Sequence, residues 1–359
     1  MEKVKIGIIG FGYMGYYHYK WIVPSTEDFE VLAVYDADPS RLEAAQKLGL
    51  KAYATLEDFL KDDSINTVIV SVPNDYHLPM VLAALNAGKN VICEKPVSMN
   101  ANELEQMIEC SKKNNKIFTV HQNRRNDGDF LMVKDTIASN KLGKVFRIES
   151  RVDGSNGIPS DWRRVKQHGG GMLLDWGPHQ IDQILTLVPS KLVSVYAHLY
   201  NVNYEVDDND VIELNFENGM TALVETFTSA FIQYPRWHVL GDEGCLDIKE
   251  LNGEGQIIRG VMKEVEWGPY LINYKGPLDH RKEPTSATRT MQPRPEETIE
   301  RITVPAVSQN WQSFYYNFLE VLNGKAELAV KPSETLRTMK VIDLAFESSR
   351  TGKSISCNL

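Results

Sequence analysis

Cysteine is scarce in this chain of 359 residues: there are four, and Cys93, Cys110, Cys245 and Cys357 show neither paired spacing nor a C-x-x-C. That excludes a disulfide framework and a cysteine zinc site, and it suits a reducing, cytoplasmic setting. Long apolar runs are also missing. No stretch approaches about 18 uninterrupted apolar residues, so no membrane span is expected. A core-type strand begins by Val4, which leaves no room for a signal peptide. Excess positive charge is absent too: 39 Lys and Arg stand against 48 Asp and Glu, a net charge of −9. This balance argues against nucleic acid and against an anionic membrane surface as partners. Neither an internal repeat nor a low-complexity segment is present. What remains is 42% hydrophobic and 24% charged, the composition of a soluble globular protein long enough for two domains.

The strand-like run Val4–Ile9 leads straight into Gly10-Phe11-Gly12-Tyr13-Met14-Gly15. Glycines in a G-x-G-x-x-G turn serve a tight bend, close approach of a pyrophosphate and helix–strand packing, and the next helix offers its N-terminal N–H groups to phosphate. A second strand over residues 30–35 ends at Asp36, 21 residues after Gly15. A carboxylate there accepts from both ribose hydroxyls and repels a 2′-phosphate, which points to NAD rather than NADP.

Strand and helix then alternate. Helices are expected over 39–48 (Asp38 as N-cap), 55–60, 76–87 and 100–113, and strands over 67–72, 90–93 and 116–121. This describes a six-stranded, doubly wound parallel sheet of Rossmann type in a domain spanning 1–123. Residues 124–359 change character. Helices over 130–139 and 175–187 flank a strand-like run over 144–153. Strands over 192–201, 210–216, 221–228, 236–240 and 245–249 follow without intervening helices, with Gly219 and Gly244 at hairpins. The expectation is an α+β domain with an open, largely antiparallel mixed sheet. Residues 267–305 read as a long irregular excursion, and helices over 311–322 and 334–350 close the chain, the last able to pack back on the first domain.

Three clusters carry chemistry. Pro73-Asn74-Asp75-Tyr76-His77 follows one strand of the first domain and Glu94-Lys95-Pro96 follows the next, so both face the crevice outside the carboxyl ends of the sheet. Pro96 biases Lys95 toward an extended backbone, and Lys95–Pro96 is a candidate cis bond. The third cluster is Gly169-Gly170-Gly171-Met172-Leu173-Leu174-Asp175-Trp176-Gly177-Pro178-His179. Asp175 and His179, four apart, share a face if both sit in the first turn of one helix, where Pro178 is tolerated. The helix dipole there favours ionised Asp and neutral His. No third ligand has convincing spacing for zinc.

Together these motifs, with Ala87-Gly88-Lys89 and Asp161-Trp162-Arg163, resemble the glucose–fructose oxidoreductase / inositol dehydrogenase family of NAD(P)-dependent sugar oxidoreductases. The resemblance implies a cofactor held by Gly10, Phe11, Gly12, Tyr13 and Met14, with Asp36 at the ribose. Val72, Pro73, Asn74, His77, Glu94 and Lys95 would lie along it, and Asn123 beside the nicotinamide. Trp162 and Arg163 would reach cofactor or substrate. The resemblance implies His179 as the general base, Lys95 as the partner of the reacting hydroxyl and Asp175 as the orienting group. Arg124 and Trp162 would join these three on the substrate. No metal is implied, and a homodimer or homotetramer through the second sheet is. The activity implied is hydride transfer between NAD and a secondary hydroxyl of a sugar, sugar derivative or cyclitol. Its rivals are an NAD-dependent glycosidase on the same fold and a non-catalytic NAD- or sugar-sensing regulator. Asn126 and Asp127 depart from the aromatic–proline pair that many relatives carry after Arg124-Arg125. Arg124, Arg125, Arg151, Arg164, Lys166 and Arg236 are candidate ligands for a carboxylate or phosphate, or a solvated surface.

Overall fold

Ile6, Ile8 and Ile9 are fully buried because their strand runs through the middle of a parallel sheet covered on both faces. The structure is a computed structural model and describes residues 3–22, 27–261 and 294–359. The first sheet is built from β1 (Val4–Ile9), α1 (Tyr13–Tyr17), β2 (Phe29–Tyr35), α2 (Pro39–Lys47), β3 (Lys51–Tyr53), α3 (Leu56–Leu60), β4 (Thr67–Val70), α4 (His77–Asn86), β5 (Asn90–Cys93), α5 (Ala101–Asn114) and β6 (Phe118–Val120). Its strand order is β3-β2-β1-β4-β5-β6, and every pairing is parallel. Asp38 caps α2 as expected, accepting from the Ser40 N–H. β3 has only three residues and no expected range of its own. The run expected over 67–72 leaves the ladder after Val70, because Pro73 opens a 3₁₀ turn over Asn74–Tyr76.

The second sheet follows α6 (Gly128–Ala138) and comprises β7 (Val145–Asp153), then, after α7 (Met172–Asp175) and α8 (Gly177–Leu187), β8 (Leu192–Tyr200), β9 (Asn209–Phe216), β10 (Thr221–Phe227), β11 (Trp237–Gly241), β12 (Gly244–Ile248), β13 (Gly255–Gly260) and β14 (Ile299–Val304). Helices α9 (Gln312–Leu322) and α10 (Pro332–Thr351) precede a short β15 (Ile355–Ser356). The order is β14-β13-β12-β11-β7-β10-β9-β8-β15. Within this sheet, among the described strands, only β7 and β10 pair in parallel; the sheet is mixed and mostly antiparallel. Two expectations are corrected. Residues 299–304 are a strand rather than irregular chain, paired with a β13 that was not expected. Exposed Glu300, Arg301 and Thr303 give this edge strand a polar sequence. The remainder of the 267–305 excursion, through 293, lies outside the described residues.

Helix α10 lies against both sheets. Its Asp343 accepts from Ala101 N at the start of α5 (3.0 Å), and Lys340 pairs with Glu105 (2.9 Å). On the other side Ser348 Oγ accepts from Ala197 N of β8 (2.9 Å). No helix among the described residues is long and apolar enough to cross a membrane.

Candidate active site

Gly10 turns the chain out of β1 with φ +89°, and a Cβ there would collide with the Ser71 carbonyl. A Cβ on Gly15 would collide with the Gly10 carbonyl. The turn is thus packed shut behind, and its Gly10 N–H is tied to the Tyr35 carbonyl at the end of β2 (2.9 Å). Asp36 is almost fully buried and accepts from Phe11 N (2.7 Å) and Asp38 N (2.9 Å), with Arg41 Nη1 at 3.3 Å.

In front of the turn lies a cavity of about 660 Å³ lined by Gly12, Tyr13, Met14, Arg41, Val72, Pro73, Asn74, Glu94, Lys95, Trp162 and Arg163, among others. A second cavity of about 280 Å³ shares Tyr13, Met14, Glu94, Lys95, Arg163 and Asp175 with it and adds Tyr17, Asn123, Arg124, Trp176, His179 and Trp311. Most of the expected site residues therefore converge on one continuous crevice. Gly10, Phe11, Asp36 and His77 line neither cavity. His77 is buried, with Nδ1 2.7 Å from the Pro96 carbonyl and Nε2 2.9 Å from the Val72 carbonyl. It ties the ends of β4 and β5 together and so positions both clusters.

The Lys95–Pro96 peptide is cis. Lys95 Nζ donates to Asp175 Oδ1 (2.8 Å) and to the Asp175 carbonyl (2.9 Å), linking the two domains. Arg163 Nε lies 3.4 Å from the same carboxylate oxygen. Burial disfavours charge on Asp175, but Lys95 and Arg163 outweigh it and hold the carboxyl below its ordinary range. Asp175 and His179 are not on one helix as the spacing suggested. α7 ends at Asp175 and α8 starts at Gly177, with Trp176 between them. Asp175 thereby turns to Lys95, and His179 to Gln122.

His179 sits in the first turn of α8 behind Pro178 and is 5% exposed. Gln122 Nε2 donates to the Pro178 carbonyl (3.0 Å), which orients the amide so that its Oε1 accepts from His179 Nδ1 (3.2 Å). Nδ1 then carries the proton, and Nε2 is the basic nitrogen. Burial, followed by the charges of Lys95 and Arg124, holds His179 well below the ordinary imidazole range. The ring is neutral at pH 7 and ready to accept a proton.

Sequence reasoning missed several supports. Asp207 anchors α7, accepting from Leu173 N through Oδ2 (2.6 Å) and from Met172 N through its carbonyl (2.9 Å). Asp127 joins two cavity walls: its Oδ2 accepts from Arg124 Nη1 (2.8 Å) and its Oδ1 from Trp311 Nε1 (2.8 Å). Arg124 lies 4.4 Å over the Trp176 ring. The departure at Asp127 was visible, but its partner lies 184 residues away. Of the basic candidates, Arg125 is spent on Asp182 and Glu334, and Arg151 on Glu149 and Glu225. Arg164 bonds the Ile158 carbonyl, and Arg236 bonds Ser150 and Gln183 beside Asp129. Arg124 alone of these six lines the crevice.

Comparison with known proteins agrees with this geometry. A family profile described as "Oxidoreductase family, NAD-binding Rossmann fold" matches residues 4–122, and one described as "GFO/IDH/MocA C-terminal domain" matches residues 130–247. A solved NAD-binding protein from Listeria innocua is 39% identical, with a TM-score of 0.87 over 99% of this chain and 97% of that one. A myo-inositol 2-dehydrogenase of Thermotoga maritima is 31% identical over 67% of this chain and 74% of its own length. A scyllo-inositol 2-dehydrogenase (NADP(+)) of Bacillus subtilis is 24% identical over 99% of this chain and 96% of its own.

Proposed function

The chain belongs to the GFO/IDH/MocA family of oxidoreductases with an NAD-binding Rossmann fold, and on that premise we propose that it oxidises a secondary hydroxyl of a sugar, sugar derivative or cyclitol with NAD, or reduces the matching ketone. The observation that carries this reading is the meeting of Lys95, Asp175 and neutral His179 in a cavity continuous with the dinucleotide crevice. The crevice fits the cofactor, since Gly12 lines it without a side chain and a Cβ there would stand 3.3 Å from Arg41 Nη1.

When bound, the nicotinamide supplies the hydride acceptor. The chain supplies position and charge. The substrate hydroxyl sits between Lys95 Nζ and His179 Nε2. His179 takes the hydroxyl proton as the C–H hydride departs, and the Lys95 ammonium stabilises the oxygen while negative charge develops. Asp175 holds Lys95 in place and offers an acceptor to a neighbouring hydroxyl. In the reverse direction protonated His179 returns the proton. Trp176 and Trp311 provide flat apolar walls that suit a ring, and the relatives named as inositol dehydrogenases favour a cyclitol.

Asp36 supports NAD as the cofactor. Arg41 stands beside it on the cavity wall and is the residue through which NADP would gain a foothold. Tyr196 and Tyr200 of β8 alternate with the buried Val195 and Ala197 and stay exposed, an apolar face suited to pairing with a second copy.

The test is the absorbance of reduced nicotinamide with purified protein, NAD and a panel of inositols, hexoses, sugar acids, sugar phosphates and glycosides. Accumulation with a polyol is expected. Sugar release from a glycoside without accumulation would move the reading to hydrolysis, and silence on both would move it to a sensor.

A further inference from the structure

A buried polar chain runs beneath the junction of the two cavities, and the proton chemistry above does not use it. It links Tyr315 of α9, His18 in the π-helical turn after α1, Glu94 after β5 and His121 after β6, all of them buried. The Tyr315 hydroxyl donates to His18 Nδ1 at 2.6 Å. His18 Nε2 and His121 Nδ1 each lie 2.8 Å from the same oxygen, Glu94 Oε1. The other oxygen, Oε2, accepts from the Lys95 backbone N–H at 3.2 Å.

The proton count closes with a single charge. A neutral imidazole has one N–H; His18 donates its own to Glu94 while its bare Nδ1 accepts from Tyr315, and His121 donates through Nδ1 while its buried Nε2 meets no acceptor among the described residues that would hold a second N–H. Burial keeps His18 below its ordinary range. Burial opposes charge on Glu94, yet the imidazoles of His121 and His18 hold its carboxyl well below the usual range. The cluster is therefore a buried anion centred on Glu94. The same three groups lie close enough to grip one cation, but hydrogen bonds already account for every close contact among them.

Glu94 lines both cavities. It stands where the nucleotide crevice opens toward His179, which is where hydride transfer requires the nicotinamide ring. That ring is cationic when oxidised and neutral when reduced. A fixed anion in a poorly screened setting attracts only the first. We propose that Glu94, held by His18 and His121, selects the redox state of the bound cofactor, making the protein bind NAD⁺ more tightly than NADH. This rests on the NAD reading above. It also makes release of the reduced cofactor the easier departure.

The test is equilibrium binding of NAD⁺ and NADH, measured separately on the full chain and on Glu94→Gln. Loss of the charge is expected to weaken NAD⁺ about tenfold relative to NADH, raising the ratio of the NAD⁺ to the NADH dissociation constant by that factor. A purely structural clamp would weaken both forms alike, and an unchanged ratio overturns the proposal. Should Glu94→Gln fail to fold by circular dichroism, His121→Phe takes its place. It removes one donor from the carboxylate, and the ratio is expected to move in the same direction; an unchanged ratio there also overturns the proposal. A wild-type chain that binds neither form refutes the NAD reading itself, a distinct outcome.

Discussion

The two sheets place chemistry in opposite ways. In the six-stranded sheet the strands end where the site begins: β1 at the glycine turn, β2 at Asp36, β4 just before Val72 and Pro73, β5 at Glu94 and Lys95, β6 just before Gln122 and Asn123. In the nine-stranded sheet no strand residue lines either cavity. Its domain contributes Trp162, Arg163, Asp175, Trp176 and His179 from loops and short helices. One half of the crevice is thus set by backbone geometry, the other by side-chain hydrogen bonds, from Lys95 and Gln122 across the crevice and from Asp207 within the same domain. A ligand-holding surface built on a parallel sheet tolerates change around it. A proton-handling surface held by single side chains does not.

Substitutions can break this division. The largest effect is expected at the reacting atoms. His179→Ala and Lys95→Ala should each lower turnover by about 10²–10⁴-fold while leaving NAD binding measurable by titration; near-normal turnover in either would remove it from the mechanism. A large effect confined to stability is expected at Arg236. Its guanidinium is fully enclosed beside Asp129 and Trp237, and burial lowers its pKa to about 10. Arg236→Ala leaves Asp129 buried without its cation and should cost about 3–5 kcal/mol in denaturant unfolding. Full stability with a raised KM would instead make Arg236 a substrate ligand.

Asp36→Ala tests the backbone-set half. It should shift the NAD/NADP preference toward NADP by about tenfold, since it removes the group that repels a 2′-phosphate and leaves Arg41. An unchanged preference in parallel titrations would place Asp36 away from the ribose. The smallest effect is in the pH profile. The base form of His179 is neutral, and its depressed pKa extends that form downward. The rate of alcohol oxidation should hold as pH falls through the ordinary imidazole value of 6.5 and decline only below it. An acid limb centred at or above 6.5 would assign the base to another group. The same sign applies to stability. Buried His18, His77 and His179 refuse protons that the unfolded chain accepts, so stability should fall as pH drops below about 6.5.

What could be read from the sequence follows the same division. Gly10, Gly12, Gly15 and Asp36 form a local pattern whose spacing is dictated by one β-α-β unit, and Glu94-Lys95-Pro96 and Asp175…His179 are each contiguous. Three-residue β3 is too short for a period to show, and β13 and β14 meet only across the chain that separates residues 260 and 299. The break at Trp176 left no mark beyond Pro178, which is equally at home in the first turn of a longer helix. Tyr315 and His18, 297 residues apart, are joined only by folding, and nothing in either local sequence announces the other.

Helix α10 has a consequence for biosynthesis. The first domain leaves the ribosome early, yet the outer side of α5 and the end of β6 are covered by a segment synthesised more than 200 residues later, through Ala101 with Asp343 (242 residues on) and Thr119 with the Val330 carbonyl (211 residues on). Until then that seam stays open to solvent and to neighbouring nascent chains. A ribosome stalled before residue 330 would display a finished dinucleotide crevice on a body still missing one wall.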